Sequence, residues 1–129
     1  MAVKWAVANG NWSAGTTWND GVVPVIGDKV YLDGHVVILN VNLDIGNGTI
    51  SNKTNEYTGL SGGYLQTPSS TALKIIIANI EIGSSAIIYL QGPNIAITGN
   101  IIGSEGGNGY LLQNNASSVN LTITGNVSL

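Results

Sequence analysis

Apolar and polar positions alternate in short stretches along this chain, and one phrase recurs: Asn, apolar, any residue, apolar, then Gly or Thr-Gly. It reads Asn42-Leu43-Asp44-Ile45-Gly46 and Asn79-Ile80-Glu81-Ile82-Gly83. It returns as Asn94-Ile95-Ala96-Ile97-Thr98-Gly99-Asn100-Ile101 and as Asn120-Leu121-Thr122-Ile123-Thr124-Gly125-Asn126-Val127, which correspond position by position. Apolar side chains two apart follow the strand period, and each phrase closes on a residue that turns the chain easily. One strand-turn unit repeated at uneven, repeat-sized intervals predicts a β-solenoid with insertions looping out of some coils. Its strands would stack in parallel on equivalents above and below, with Asn and Gly at corners supplying positive φ. A β-sandwich of hairpins is the alternative.

Two segments interrupt the phrases and read as surface loops: residues 51–70, polar with Gly59, Gly62 and Gly63, and the glycine-rich 103–109. Tyr57, Tyr64, Tyr110 and Glu105 lie in or beside them. Rigid scaffolds carry contact residues on such loops, so these four form the candidate contact surface. The chain thus divides into an N-terminal cap with a first hairpin at 1–40 and solenoid coils at 41–129, one structural domain overall.

Residues 1–40 hold Trp5, Trp12 and Trp18 and the single histidine, His35. Bulky side chains here would cover the exposed edge of the first coil. Asp33-Gly34 is the strongest short hairpin signal and predicts pairing of Lys29–Leu32 with Val36–Leu39. The order Trp12, Trp18, Gly21-x-x-Pro24, Gly27-Asp28, Val30-x-Leu32, Gly34-x-x-Val37-x-Leu39 resembles the opening of a group of parallel β-helix proteins. The group includes the glycine-eight domain of extracellular hyaluronan-related proteins and N-terminal modules of phage tail, fibre and head-surface proteins. The resemblance covers about residues 10–45. It implies a short right-handed parallel β-helix with a Trp-containing cap, and it brings no catalytic motif. Phage proteins are the nearer match, because the chain is short, lacks cysteine, and shows no apolar signal-peptide core before Asn9-Gly10-Asn11.

Composition sharpens this picture. Charged residues are only 9% of the chain against 43% hydrophobic, so Asn, Ser, Thr and Gly must cover the surface, a mixture that suits strands and turns over helices. The net charge of −3 and singly scattered Lys4, Lys29, Lys53 and Lys74 argue against nucleic acid. The longest apolar run, Ile75-Ile76-Ile77-Ala78, is too short for a spanning helix, which argues against membrane insertion. Without cysteine there are no disulfides and no thiolate metal sites.

Catalysis finds little to work with. His35 stands alone after a turn and reads as an exposed turn residue. Asp28 and Asp33 bracket one strand. Asp44 and Glu81 fill the same place in two phrases and would share a sheet face if those phrases stacked, the arrangement a glycan-cleaving carboxylate pair would need. Sequons are frequent but expected by chance in a chain this rich in Asn, Ser and Thr. Only Thr122 and Thr124 alternate as an ice-binding ladder would require. The last phrase runs to Val127 and Leu129 without a polar cap, and a bare coil end invites another subunit. The expectation is a non-enzymatic virion structural protein, a decoration or fibre or spike module. It would form a homo-oligomer (a trimer favoured), contact other virion proteins and a host glycan, and use no cofactor. A carbohydrate-binding adhesin module of a bacterial surface protein is the alternative. A fragment of a polysaccharide-degrading β-helix enzyme stands third.

Overall fold

The computed structural model describes residues 2–68, 72–83, 88–90, 94–103, 112–114 and 120–128. The described residues form short strands and a single 3-10 turn, Gly15–Thr17. The first passage of the chain contributes β1 (Val3–Trp5) and β2 (Gly10–Asn11). A second contributes β3 (Lys29–Tyr31), β4 (Val36–Ile38) and β5 (Leu43–Asp44). A third contributes β6 (Thr49–Ser51), β7 (Tyr64–Gln66) and the first half of the long β8 (Leu73–Ile82). β9 (Ile88–Leu90), β10 (Asn94–Gly103), β11 (Leu112–Asn114), β12 (Asn120–Thr124) and β13 (Val127–Ser128) continue the order.

Every pairing between these strands is parallel. An eight-stranded sheet runs β1-β3-β6-β8-β10-β12, with β5 on β8 and β13 on β10, and a five-stranded sheet runs β11-β9-β7-β4-β2. The fold is therefore all-β and built of parallel sheets. A sandwich of hairpins is not the arrangement of the described residues, since hairpin partners are antiparallel. The two longest phrases pair in register, Asn94 with Asn120 through Thr98 with Thr124, and then Ile101 with Val127.

β8 and β10 each bend midway, and burial shows where. In β8 the buried positions Leu73, Ile75 and Ile77 alternate, the phase resets at Ala78 and Asn79, and Ile80 and Ile82 are buried again. β10 resets at Gly99 and Asn100, where the pairing register also shifts. The second half of β8 pairs with β6, and its first half with β5. Inward side chains of both sheets make one core that includes Val30, Leu32, Val37, Leu39, Ile45, Ile50, Leu65, Ile80 and Ile101. Fully burying each such aliphatic side chain stabilises the fold by about 1.5–3 kcal/mol.

Asparagine carries polar bonds between passages. Asn9, Asn42, Asn52 and Asn100 accept through Oδ1 from the backbone N–H of Val36, Lys74, Gly83 and Asn126, residues 26 to 32 positions further on. The expectation that Asn supplies positive φ is corrected. Among the described non-glycine residues only Asp33 has positive φ, at 52°. An amide side chain that bridges to the next strand serves these corners without the steric cost of a left-handed backbone.

The Asp33-Gly34 hairpin is also corrected. The turn itself is present: Asp33 and Gly34 have φ of 52° and 76°, and the His35 N–H donates to the Leu32 carbonyl. Positive φ at both central residues is the signature of a type I′ turn. The flanking strands nevertheless lie in different sheets, β3 between β1 and β6, and β4 between β2 and β7. Parallel neighbours on both sides leave no edge for the two to pair with each other.

The segment 51–70 is likewise not one surface loop. Ser51 belongs to β6, and Tyr64–Gln66 is a strand between β4 and β9 with Leu65 fully buried. Asn52, Asn55 and Thr67 are buried too. Residues 104–109 of the second expected loop lie outside the described residues.

Candidate functional site

Trp12 and Trp18 are each 2% exposed and meet edge to face at 4.9 Å between ring centroids. The Trp18 indole N–H donates to the Trp12 carbonyl at 2.9 Å, satisfying the one polar atom of a buried ring. They sit beside β1 and β2, the edge strands of the two sheets. Lys4 closes the same end. Its side chain points inward from β1, and its Nζ donates to the Val22 carbonyl at 3.0 Å and lies 3.3 Å from Asp20 and 3.9 Å from Asp28. The buried Asp28 carboxylate accepts from the Ala2 and Val25 N–H groups. Asp20 is held below its usual range, chiefly by the Val22 N–H; desolvation opposes this, and Lys4 adds to the lowering.

Trp5 has a different role from the other two tryptophans. It is half-buried and stacks on Tyr57, rings 5.9 Å apart and 15° from parallel. Tyr57 is 62% exposed. The row of strand partners Trp5, Tyr31, Ser51, Glu81 and Ile102 crosses β1, β3, β6, β8 and β10. On this row the Lys29 ammonium lies 5.1 Å from the Tyr31 ring centroid and 3.8 Å from Glu81 Oε1. That oxygen is buried and accepts no hydrogen bond from the described residues. Lys29 is raised above its ordinary value, chiefly by Tyr31 and then by Glu81, with burial pulling the other way.

The segment bearing Tyr57 is anchored by polar side chains. The buried Asp33 carboxylate accepts from Asn55 Nδ2 at 3.0 Å and from Thr58 Oγ1 at 2.9 Å, while Asn55 Oδ1 accepts the Tyr57 N–H. Burying a carboxylate is costly unless it is hydrogen-bonded, so Asp33 fixes the segment strongly. Gly63, at φ 89°, lies where a Cβ would press on the His35 backbone.

Of the expected contact residues, Tyr57 lies on the Trp5 stack and Tyr64 is a half-buried member of β7. The two do not share a strand row. Tyr110, Glu105 and Leu129 lie outside the described residues. Val127 is 47% exposed on β13. His35 is half-buried, and its Nδ1 lies 3.3 Å from Asn9 Oδ1, so the freely exposed turn histidine is corrected.

The Asp44–Glu81 pair is not assembled. Asp44 pairs with Ile76, whereas Glu81 pairs with Ser51 and Ile102. Their phrases are similar in letters, but the Asp44 phrase is β5, stacked on the first half of β8, and the Glu81 phrase is the second half of β8 itself.

Two clusters escaped the sequence. Lys29, Tyr31 and Glu81 come together only through register, although Lys29-x-Tyr31 does show the outward alternation. A shallow groove of about 210 Å³ crosses β8, β10 and β12, lined by Lys74, Ala96 and Thr122 among others. No family model, curated protein or solved structure matches the chain.

Proposed function

We propose that the chain is a right-handed parallel β-solenoid serving as a non-enzymatic structural protein of a phage virion, as head-surface decoration or as a fibre or spike module. The solenoid reading is supported by passages that visit the same strand groups in the same order, each in parallel register with the last. One observation carries the functional reading: the parallel strand stack has edges at which a further chain can be added. Trp12, Trp18 and Lys4 close the edge at β1 and β2, while β12 and β11 stand at the opposite edges, with Val127 exposed nearby. Edge strands present N–H and C=O groups that another chain can pair with, so the edges of such a stack suit assembly.

On this reading the protein is a homo-oligomer, a trimer favoured, that contacts other virion proteins and a host glycan. Sedimentation of the purified protein, with quantification of its copies in particles, tests the proposal. A trimer present in stoichiometric copies is expected. A concentration-independent monomer missing from particles overturns it. The stacked, exposed Tyr57 favours a second reading, a carbohydrate-binding module of a bacterial surface protein, because an open aromatic face accommodates the apolar side of a sugar.

A further inference from the structure

We propose that the groove across β8, β10 and β12 binds an acidic saccharide, with the Lys74 ammonium taking its carboxylate. The inference goes beyond the scaffold reading and holds wherever the protein is displayed.

The register builds the groove. Leu43 pairs with Ile75, which sets Asn42 beside Lys74, and Lys74 pairs with Ala96, which pairs with Thr122. Ala96 is the smallest member of this row, so a notch opens between the longer Lys74 and Thr122. Ala72 and Ala96 supply apolar floor, while Asn42, Asn94, Lys74 and Thr122 supply polar groups. Asn42 Oδ1 accepts from the Lys74 N–H at 2.9 Å, which holds the Asn42 side chain beside Lys74. Lys74 is exposed and makes no ion pair among the described residues, whereas Lys4 and Lys29 both do.

An ammonium, amides and a hydroxyl around a small apolar floor match a ring with one apolar C–H face, a rim of hydroxyls and a carboxylate. At about 210 Å³ the groove is smaller than the roughly 300–1,000 Å³ of sites for drug-sized ligands, which suits a single sugar ring. An added peptide strand does not fit, because β8 and β10 are already paired on both edges at this level.

The test is an amide NMR titration of the whole chain with trigalacturonate, and in parallel with the neutral galactose trisaccharide and a glutamate-rich peptide. Saturable shifts at Lys74, Ala96 and Thr122 with trigalacturonate alone are expected. Lys74→Gln, an outward substitution that leaves the core intact, should weaken binding at least about fivefold, the loss of one charge-assisted contact. Ala96→Leu should abolish binding by filling the notch. The proposal is overturned by no saturable shift, by equal binding of the neutral sugar or the peptide, by shifts centred on Trp5 and Tyr57, or by unchanged affinity in Lys74→Gln. A particle-bound trimer that fails this titration would overturn the groove and leave the virion reading standing.

Discussion

Asp33 joins a strained backbone to a long-range contact. Its φ of 52° carries a left-handed penalty for a non-glycine residue, and its buried carboxylate accepts from Asn55 and Thr58 on a distant segment. Asp33→Ala keeps the strain and strands both donors. Its unfolding free energy in urea should fall by about 2–4 kcal/mol. Asp33→Gly relieves the φ penalty and should cost less; equal losses would remove the strain from the explanation. Lys29 gives a pH signature at the same scale. Its folded value is raised above the ordinary 10.5, so its contribution is full below that pH and is lost as pH rises through the folded value. Stability compared at about pH 9 and about pH 11 should therefore drop, and Tyr31→Phe should shrink the drop more than Glu81→Gln does. An unchanged drop in Tyr31→Phe would contradict the assigned cause. The turn at Asp33-Gly34 was legible in the sequence because φ preferences are local. That the two strands it joins lie in different sheets was not, because pairing depends on neighbours far along the chain.

At the scale of elements, the bends in β8 and β10 decide the topology. Gly99 has φ 150° and Gly125 φ 142°, and a Cβ on either would collide with a carbonyl oxygen, of Ile77 and of Gly99 respectively. Gly99→Ala should therefore cost about 2–4 kcal/mol in urea unfolding, far above the few tenths usual for a surface change. A near-neutral result would show that the bend tolerates a side chain. Matching of residues 94–101 with 120–127 was legible because the phrases are long and end in the same glycine bend. The shorter phrases at Asn42 and Asn79 misled, since similar lettering serves β5, which stacks on the first half of β8, and the second half of β8 itself. The strand hidden at Tyr64–Gln66 was missed because polar residues and glycines surround a single fully buried Leu65.

Across the whole molecule, stability depends on closing the stack at β1 and β2. Trp12→Ala removes a buried ring and its edge-to-face partner contact, and should cost about 3–5 kcal/mol. Trp5→Ala removes a half-buried ring and should cost less, and the reverse order would refute the assignment of Trp12 and Trp18 as the cap. The packing of Trp12 on Trp18 follows large aromatics clustered ahead of the strand phrases, whereas the Trp5 stack on Tyr57 gave no sequence signal. The groove at Lys74 and the cluster at Lys29 were not legible, since each forms from residues scattered along the chain and joined only by register. All of this rests on parallel stacking of successive passages, which one cysteine-pair experiment tests most directly. The chain has no cysteine of its own. Thr98 and Thr124 are exposed register partners on adjacent strands, and such strands lie about 4.8 Å apart, within reach of a disulfide. The double variant Thr98→Cys with Thr124→Cys should close an intramolecular disulfide on mild oxidation, while Lys29→Cys with Ile38→Cys, partners in a hairpin about Asp33-Gly34, should not. Closure of the second pair without the first would contradict the parallel stack.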